Sequence, residues 1–225
     1  MTSTPRKQPA VTVIDPTLEY EQTLFDAGAP VVIGCDEVGR GAVAGPVAVG
    51  MAVIDSECRE IPLGLRDSKL LSEKKRVALA PVVSAWVLHS AVGLAGPEEV
   101  DEIGIIKALG LAGKRALAIL HAQGVEVASS VLVLDGNHDY LSPALRHPLD
   151  VRTRVKGDRD CASVSAASVI AKVHRDTLMI TAHERFPRYG WQGNKGYGSV
   201  EHMSAIRELG PCAFHRRTWL TEHVG

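Results

Sequence analysis

Apolar positions along this chain fall into two periods, and the switches between them outline its elements. Leu18 to Ala27 spaces its apolar residues for a short helix, closed by Gly28 and Pro30. Val31 to Cys35 is a compact apolar run of the β type that stops abruptly at Asp36-Glu37. After Gly39-Arg40-Gly41, the segment Ala42 to Ile54 is rich in valine and small residues and contains Pro46. It reads as a second strand or bent hairpin rather than a helix. Leu70 to Val83, following the possible caps Ser68 and Ser72, suits an amphipathic helix, and Trp86 to Leu94 alternates as a third strand. Glu98 to His121 predicts one or two helices. Val131 to Leu134 predicts a strand ending at Asp135, Val151 to Val155 a short strand, and Ser163 to Glu184 a long helix of small residues. Tyr189 to Ser199, with four glycines and three aromatic residues, reads as a structured loop before a last helix from Val200 to Leu209. Strands interleaved with helices indicate an α/β domain. Residues 1–17, rich in Thr, Pro and charge, read as a flexible leader.

Composition narrows the class. Hydrophobic residues at 45% and charged residues at 23% of 225 are an ordinary globular balance. The longest weakly polar run, Ala42 to Ile54, is broken by Gly45, Pro46 and Gly50, so no segment approaches the roughly 20 apolar residues of a membrane helix. The first residues lack the apolar core of a signal peptide, which points to the cytoplasm. Cys35, Cys58, Cys161 and Cys212 form no C-x-x-C pair. They read as small, mostly buried apolar residues, a disulfide being the alternative. The net charge of −1 hides a gradient: residues 1–149 carry 13 Lys and Arg against 18 Asp and Glu, whereas residues 150–225 carry 12 against 8. The basic C-terminal third can follow a phosphate backbone or be an ordinary solvated face.

Asp36, Glu37, Asp135 and Asp158 each sit where an apolar strand or its following turn ends. Strand ends form the ligand crevice of open α/β sheets, so these acids can converge despite their separation. For any one strand-end acid, capping or solvent exposure is as common a role; three strand ends in one chain favour convergence. Clustered carboxylates need a cation, and oxygen ligands favour Mg²⁺ or Mn²⁺ over zinc. Two such ions suit phosphodiester hydrolysis. Gly39-Arg40-Gly41 offers backbone N–H groups and a guanidinium close by. With Ala44 it also satisfies a dinucleotide fingerprint, but that motif needs a following helix, which Pro46 and the valine-rich run disfavour. Ser68-Lys69 can contact phosphates, Lys69 above all, while Lys74-Lys75-Arg76 reads as a solvated helix face. Tyr197, between glycines, either stacks on a sugar or base or anchors its own turn.

The ordered set of these motifs resembles bacterial ribonuclease HII, the type 2 ribonuclease H. It comprises Gly34 to Gly41 with Ala44 to Val47, Asp67-Ser68-Lys69-Leu70-Leu71-Ser72, Leu134-Asp135-Gly136 and Lys156-Gly157-Asp158. Ser163 through Lys172 with Arg175-Asp176, Lys195 to Gly198, and His215-Arg216-Arg217 complete it, in order from about residue 31 to 219. The resemblance implies a ribonuclease H-like fold with a mixed central sheet flanked by helices. A catalytic domain over residues 18–186 would be followed by a small helical C-terminal region, 187–225, that completes the duplex-binding site. It implies cleavage of the RNA strand of RNA/DNA hybrids and incision 5′ of single ribonucleotides in duplex DNA, giving 3′-hydroxyl and 5′-phosphate ends, by a monomer with no membrane association. Asp36, Glu37, Asp135 and Asp158 would be the metal-binding acids, with Mn²⁺ or Mg²⁺ as cofactor and two ions in the working complex. Gly39, Arg40 and Gly41 would read the 2′-hydroxyl and the RNA-to-DNA junction, and Tyr197 would stack on the sugar after the ribonucleotide. Ser68, Lys69, Lys172 and Arg175 would contact the substrate. Arg159-Asp160 departs from the family pattern and makes Asp160 a competitor of Asp158 for the fourth acid; the resemblance favours Asp158. A non-catalytic duplex-binding protein of the same fold is the rival reading, opposed by the presence of all four acids.

Overall fold

The apolar run after Pro30 forms β1 (Val32–Val38), and the valine-rich segment after Pro46 forms β2 (Val47–Ile54). They pair antiparallel with Asp36 opposite Gly50, and β3 (His89–Ala95) adds antiparallel to β2. On the other side of β1, β4 (Val131–Asp135) and β5 (Asp150–Arg154) add in parallel. The result is one mixed sheet in the order β3-β2-β1-β4-β5. This computed structural model describes residues 15–220.

Alternation along the strands divides the core into two layers. Ile33, Cys35, Met51 and Leu134 face α3 (Pro97–Ile103) and α4 (Ile105–Ala122), where Leu109, Ala112 and Leu120 are buried against them. Val32, Ile54 and Val133 face the opposite way, toward α1 (Glu19–Asp26), α2 (Glu73–Trp86) and α6 (Ala162–Arg185). The N-terminal half of α6 is almost entirely Ala, Ser and Val because it lies directly on the strands. A Cβ added at Gly34 would stand 2.2 Å from the Ser163 carbonyl carbon, and one at Gly50 would stand 2.6 Å from the Ala167 carbonyl oxygen. Helix and sheet backbones therefore meet beside Asp36. Glu21 of α1, fully buried, fixes the start of α6 by accepting from the Ser163 N–H at 2.9 Å and its hydroxyl at 2.8 Å.

Beyond the sheet, the C-terminal half of α6 enters a third apolar cluster built on Met179, Tyr189, Trp191 and Ile206. This cluster includes α7 (Trp191–Asn194) and α8 (Val200–Leu209), so one helix serves both regions.

Several boundaries differ from the sequence expectation. Trp86 closes α2 instead of opening β3, because its indole N–H donates to the Arg59 carbonyl at 2.9 Å and its ring packs on the α2–α6 layer. The stretch Ala42–Pro46 is a turn rather than the start of β2, its carbonyls being taken by arginine side chains described below. Glu98 to His121 is two helices parted at Gly104, and the loop expected over Tyr189–Ser199 contains α7. The expected leader lies outside the described residues up to position 14. Its last residues join the body: Asp15 pairs with Arg66 at 2.7 Å and the Thr17 N–H donates to the Asp160 carbonyl at 3.1 Å. All four cysteines are free thiols, Cys35 and Cys161 buried. Among the described residues no helix is long and apolar enough to cross a membrane.

Candidate active site

The parallel register that sets Cys35 beside Leu134 brings Asp36 and Asp135 out at the same end of the sheet. Asp158 arrives there on α5 (Gly157–Asp160), its N–H donating to Asp135 Oδ1 at 3.2 Å. Asp36 is buried; its Oδ1 accepts the Glu37 N–H at 2.8 Å and its Oδ2 has no hydrogen-bond partner. Burial first, then the neighbouring Glu37 charge, pushes the Asp36 carboxyl well above its ordinary range. Glu37 and Asp135 are raised too, burial leading in each. Arg40, 3.6 Å from Glu37, opposes the rise there, and Asp158 adds to it at Asp135. Asp160, the competing candidate, instead lies 3.8 Å from Arg154 with 45% of its side chain exposed.

These donors fit a hard divalent cation by chemistry: all are carboxylate oxygens, they repel one another, and one buried oxygen is unshared. They are not gathered into a finished nest. Among the described residues, no three His, Cys, Asp or Glu side chains converge closely enough to hold an ion. Lys69 brings a cation to Asp158, its Nζ lying 3.2 Å from Asp158 Oδ2. Burial alone would lower this ammonium's pKa, but Asp36, Asp158 and Asp67 outweigh it and raise it. Lys69 is aimed by a short 3₁₀ turn, Ser68–Leu70, capped by the buried Asp67, whose Oδ1 accepts the Lys69 N–H at 2.9 Å. Ser68 is buried and tied to α6 by a 2.8 Å bond to the Ser168 hydroxyl.

Beside the acids lies a cleft of about 180 Å³ lined by Glu37, Gly39, Arg40, Gly41, Ser68, Lys69, Lys172 and Tyr197. The glycine loop leads into β2, so no helix N-terminus stands where a dinucleotide pyrophosphate would need one. Its shape is held from behind by Arg216. This fully buried guanidinium donates to the carbonyls of Gly39 at 2.7 Å, Arg40 at 2.9 Å and Gly45 at 3.2 Å. Gly39 has φ 83°, and a Cβ there would lie 2.1 Å from Arg175 Nε, so only glycine fits. Arg175 is also fully buried and donates to the carbonyls of Pro46, Lys195 and Ala44 at 2.8, 2.9 and 3.0 Å. The expected contact of Arg175 with substrate is therefore corrected: its side chain is fully buried, and three of its five N–H groups tie together the two loops that it joins. Lys172 remains in the cleft wall, paired with Asp176 at 2.6 Å.

Tyr197 presents its ring, 37% exposed, with the Arg175 guanidinium 5.5 Å from its centroid. The preceding carbonyl, Gly196, accepts the Val43 and Ala44 N–H groups at 2.9 and 3.0 Å, stitching the tyrosine loop to the glycine loop. Two lysines next to the site share a backbone feature. Lys156 (φ 62°) and Lys195 (φ 50°) hold the left-handed backbone, each in a Lys-Gly pair just ahead of Asp158 and Tyr197.

A mixed sheet in this order, with acids at the ends of β1 and β4 and helices on both faces, is the arrangement expected of a nuclease of the ribonuclease H class. The family model described as Ribonuclease HII matches residues 33–222. A ribonuclease HII of Streptomyces griseus is 46% identical over 208 residues, covering 91% of this chain and 84% of that one. The RNase HII in the PCNA:RNase HII complex from Archaeoglobus fulgidus is 28% identical with TM-score 0.68, covering 84% of this chain and 94% of that one. Bst-RNase HIII in complex with Mn²⁺ shares the fold at 24% identity and TM-score 0.66, covering 93% of this chain and 69% of that one. The chain belongs to the ribonuclease HII family, RNA-hydrolysing endonucleases.

Proposed function

We propose that the chain cuts the RNA strand of RNA/DNA hybrids and incises 5′ of single ribonucleotides embedded in duplex DNA, leaving 3′-hydroxyl and 5′-phosphate ends. The observation that carries this reading is adjacency: mutually interacting acids stand directly beside a glycine-lined cleft, and Glu37 belongs to both. Asp36, Glu37, Asp135 and Asp158 would hold Mn²⁺ or Mg²⁺, two ions in the working complex; Bst-RNase HIII, of the same fold, is a Mn²⁺ complex. Bound there, divalent ions supply activation of a water and neutralise charge at the scissile phosphate.

The chain's own groups orient the substrate. With the carbonyls of Gly39 and Arg40 held inward by Arg216, the N–H edge of the loop is left for a 2′-hydroxyl, the group that separates RNA from DNA. Tyr197 stacks on the sugar that follows, while Lys69 and Lys172 face the backbone from the cleft wall and the buried Ser68 sets the turn that aims Lys69. Residues 18–186 carry the acids, and those from 187 onward complete the duplex surface through Tyr197. The protein works as a monomer in the cytoplasm. A binding-only role is disfavoured because keeping repelling carboxylates buried together destabilises the fold without serving duplex affinity.

The test is cleavage of a labelled DNA duplex bearing one ribonucleotide, with Mn²⁺ or Mg²⁺ and with chelator, beside an all-DNA duplex. One metal-dependent cut 5′ of the ribonucleotide is expected. Cutting of long hybrids alone would remove the roles given to Gly39–Gly41 and Tyr197, and no cutting of either would restore the binding-only reading.

A further inference from the structure

Behind Tyr197 lies a buried polar chain to which the reaction as described gives no part. His202 and His215 are 0% and 2% exposed. His202 Nδ1 is 2.8 Å from the Tyr197 carbonyl, which can only accept, so Nδ1 carries the proton. His202 Nε2 receives the Trp191 indole N–H at 3.0 Å, which can only donate, so Nε2 is bare. His215 Nδ1 accepts the Cys212 N–H at 3.0 Å, so its proton is on Nε2, which lies 3.1 Å from that same His202 nitrogen and shares its one lone pair with the Trp191 N–H. The Cys212 thiol, 3.3 Å from His215 Nδ1, can act either way, but the one-way partners, the Cys212 and Trp191 N–H groups and the Tyr197 carbonyl, fix both tautomers: protons point in one direction, from Cys212 through both rings to the Tyr197 carbonyl.

We propose that His202 and His215 are positioning residues for ribonucleotide selection, a fixed two-imidazole relay that sets the backbone of Tyr197 and thereby the pose of its exposed ring. This rests on the reading that Tyr197 meets the sugar beside the ribonucleotide. Burial lowers the pKa of both rings, and His202 lowers that of His215 further, in keeping with a neutral relay. The relay is local to the tyrosine loop: α8 supplies His202, and the chain pairs Ala44 with His215 next to the glycine loop. A purely structural pair would affect all substrates alike; a relay ending on Tyr197 acts on the choice between them.

The experiment measures kcat/KM on a single-ribonucleotide duplex and on a long RNA/DNA hybrid for the wild type, Tyr197→Ala, His202→Phe, His202→Asn and the double variant Tyr197→Ala/His202→Phe. It is accompanied by ¹⁵N spectra of the imidazoles in the wild type. His202→Phe is expected to lower the single-ribonucleotide rate about tenfold more than the hybrid rate, the scale of one lost buried hydrogen bond. Asn, whose amide N–H can replace Nδ1–H, is expected to recover most of that loss, and in the Tyr197→Ala background His202→Phe is expected to leave the ratio where it is. The spectra are expected to show Nδ1–H on His202 and Nε2–H on His215. Equal losses on both substrates in a folded His202→Phe, or the opposite tautomers, would overturn the relay. The spectra need no variant, so a His202→Phe that fails to fold leaves the proposal open to refutation. An unchanged ratio in Tyr197→Ala, where both histidines are intact, is the distinct result that overturns the stacking reading and the relay's role in selection with it.

Discussion

Replacing Asp36 by asparagine separates what this side chain does for the reaction from what it does to the fold. The carboxylate is buried with an unshared Oδ2 and raised by its own burial and by Glu37. Removing its charge is expected to lower kcat/KM about a thousandfold, about 4 kcal/mol of transition-state stabilisation, while the melting temperature without metal stays level or rises. Cleavage assays paired with calorimetry check both halves. His215 gives the pH counterpart. Its folded pKa is lowered to about 4 by burial and by His202. As pH falls below about 6.5 the unfolded chain binds a proton that the folded chain refuses, so stability is lost between about 6.5 and 4, by about 3 kcal/mol in all. Melting curves across that range are expected to flatten in His215→Gln. Asp36-Glu37 and Asp135 stand out in the sequence because they stop apolar runs, a signal confined to a few neighbouring positions, whereas Asp158 follows a polar strand and a Lys-Gly turn and is marked only by its place in a motif. Arg216 was recognisable only as part of a motif: its three carbonyl partners lie more than 170 residues away, so no local pattern reveals its task. Arg175 hides its role for the same reason, since an arginine satisfied by main-chain carbonyls looks in sequence like one that meets phosphate.

The contact between α6 and the β1–β2 pair sets the precision of the site. Gly50 faces Asp36 across the strands and touches the α6 backbone. Gly50→Ala is expected to destabilise by about 1–3 kcal/mol, because its Cβ meets main chain that cannot rotate away. Denaturant titration would report the loss, and activity is expected to fall with it as α6 shifts against Asp36. Most elements were readable from periodicity, including the hairpin inferred from Pro46 and the valines. The ends were not, since Trp86 and Ala42–Pro46 take their conformation from partners distant in sequence. α7 was unreadable for another reason: a four-residue turn containing Gly193 has no period to detect.

Affinity for cation and for duplex can be read without following cleavage. Carboxylates held together at a cost are relieved by a bound ion, so Mn²⁺ or Mg²⁺ at about a hundred times its Kd is expected to raise Tm by about 5–10 °C. Asp36→Asn is expected to lose most of that rise, which thermal scans with and without chelator would show. The charge gradient along the chain predicts duplex binding that weakens by about tenfold or more between 50 and 200 mM salt, equally for unrelated sequences; fluorescence anisotropy on two duplexes would measure it.

The buried Arg216 also has a consequence in time. The glycine loop is made early, and the guanidinium that shapes it follows Arg40 by 176 residues. A growing chain can assemble the sheet around β1 and β2 while the ribosome is still at work, since domains fold from the N-terminal side as they emerge. The glycine loop must wait: the carbonyls of Gly39 and Arg40 gain the guanidinium that holds them only when synthesis has passed Arg216.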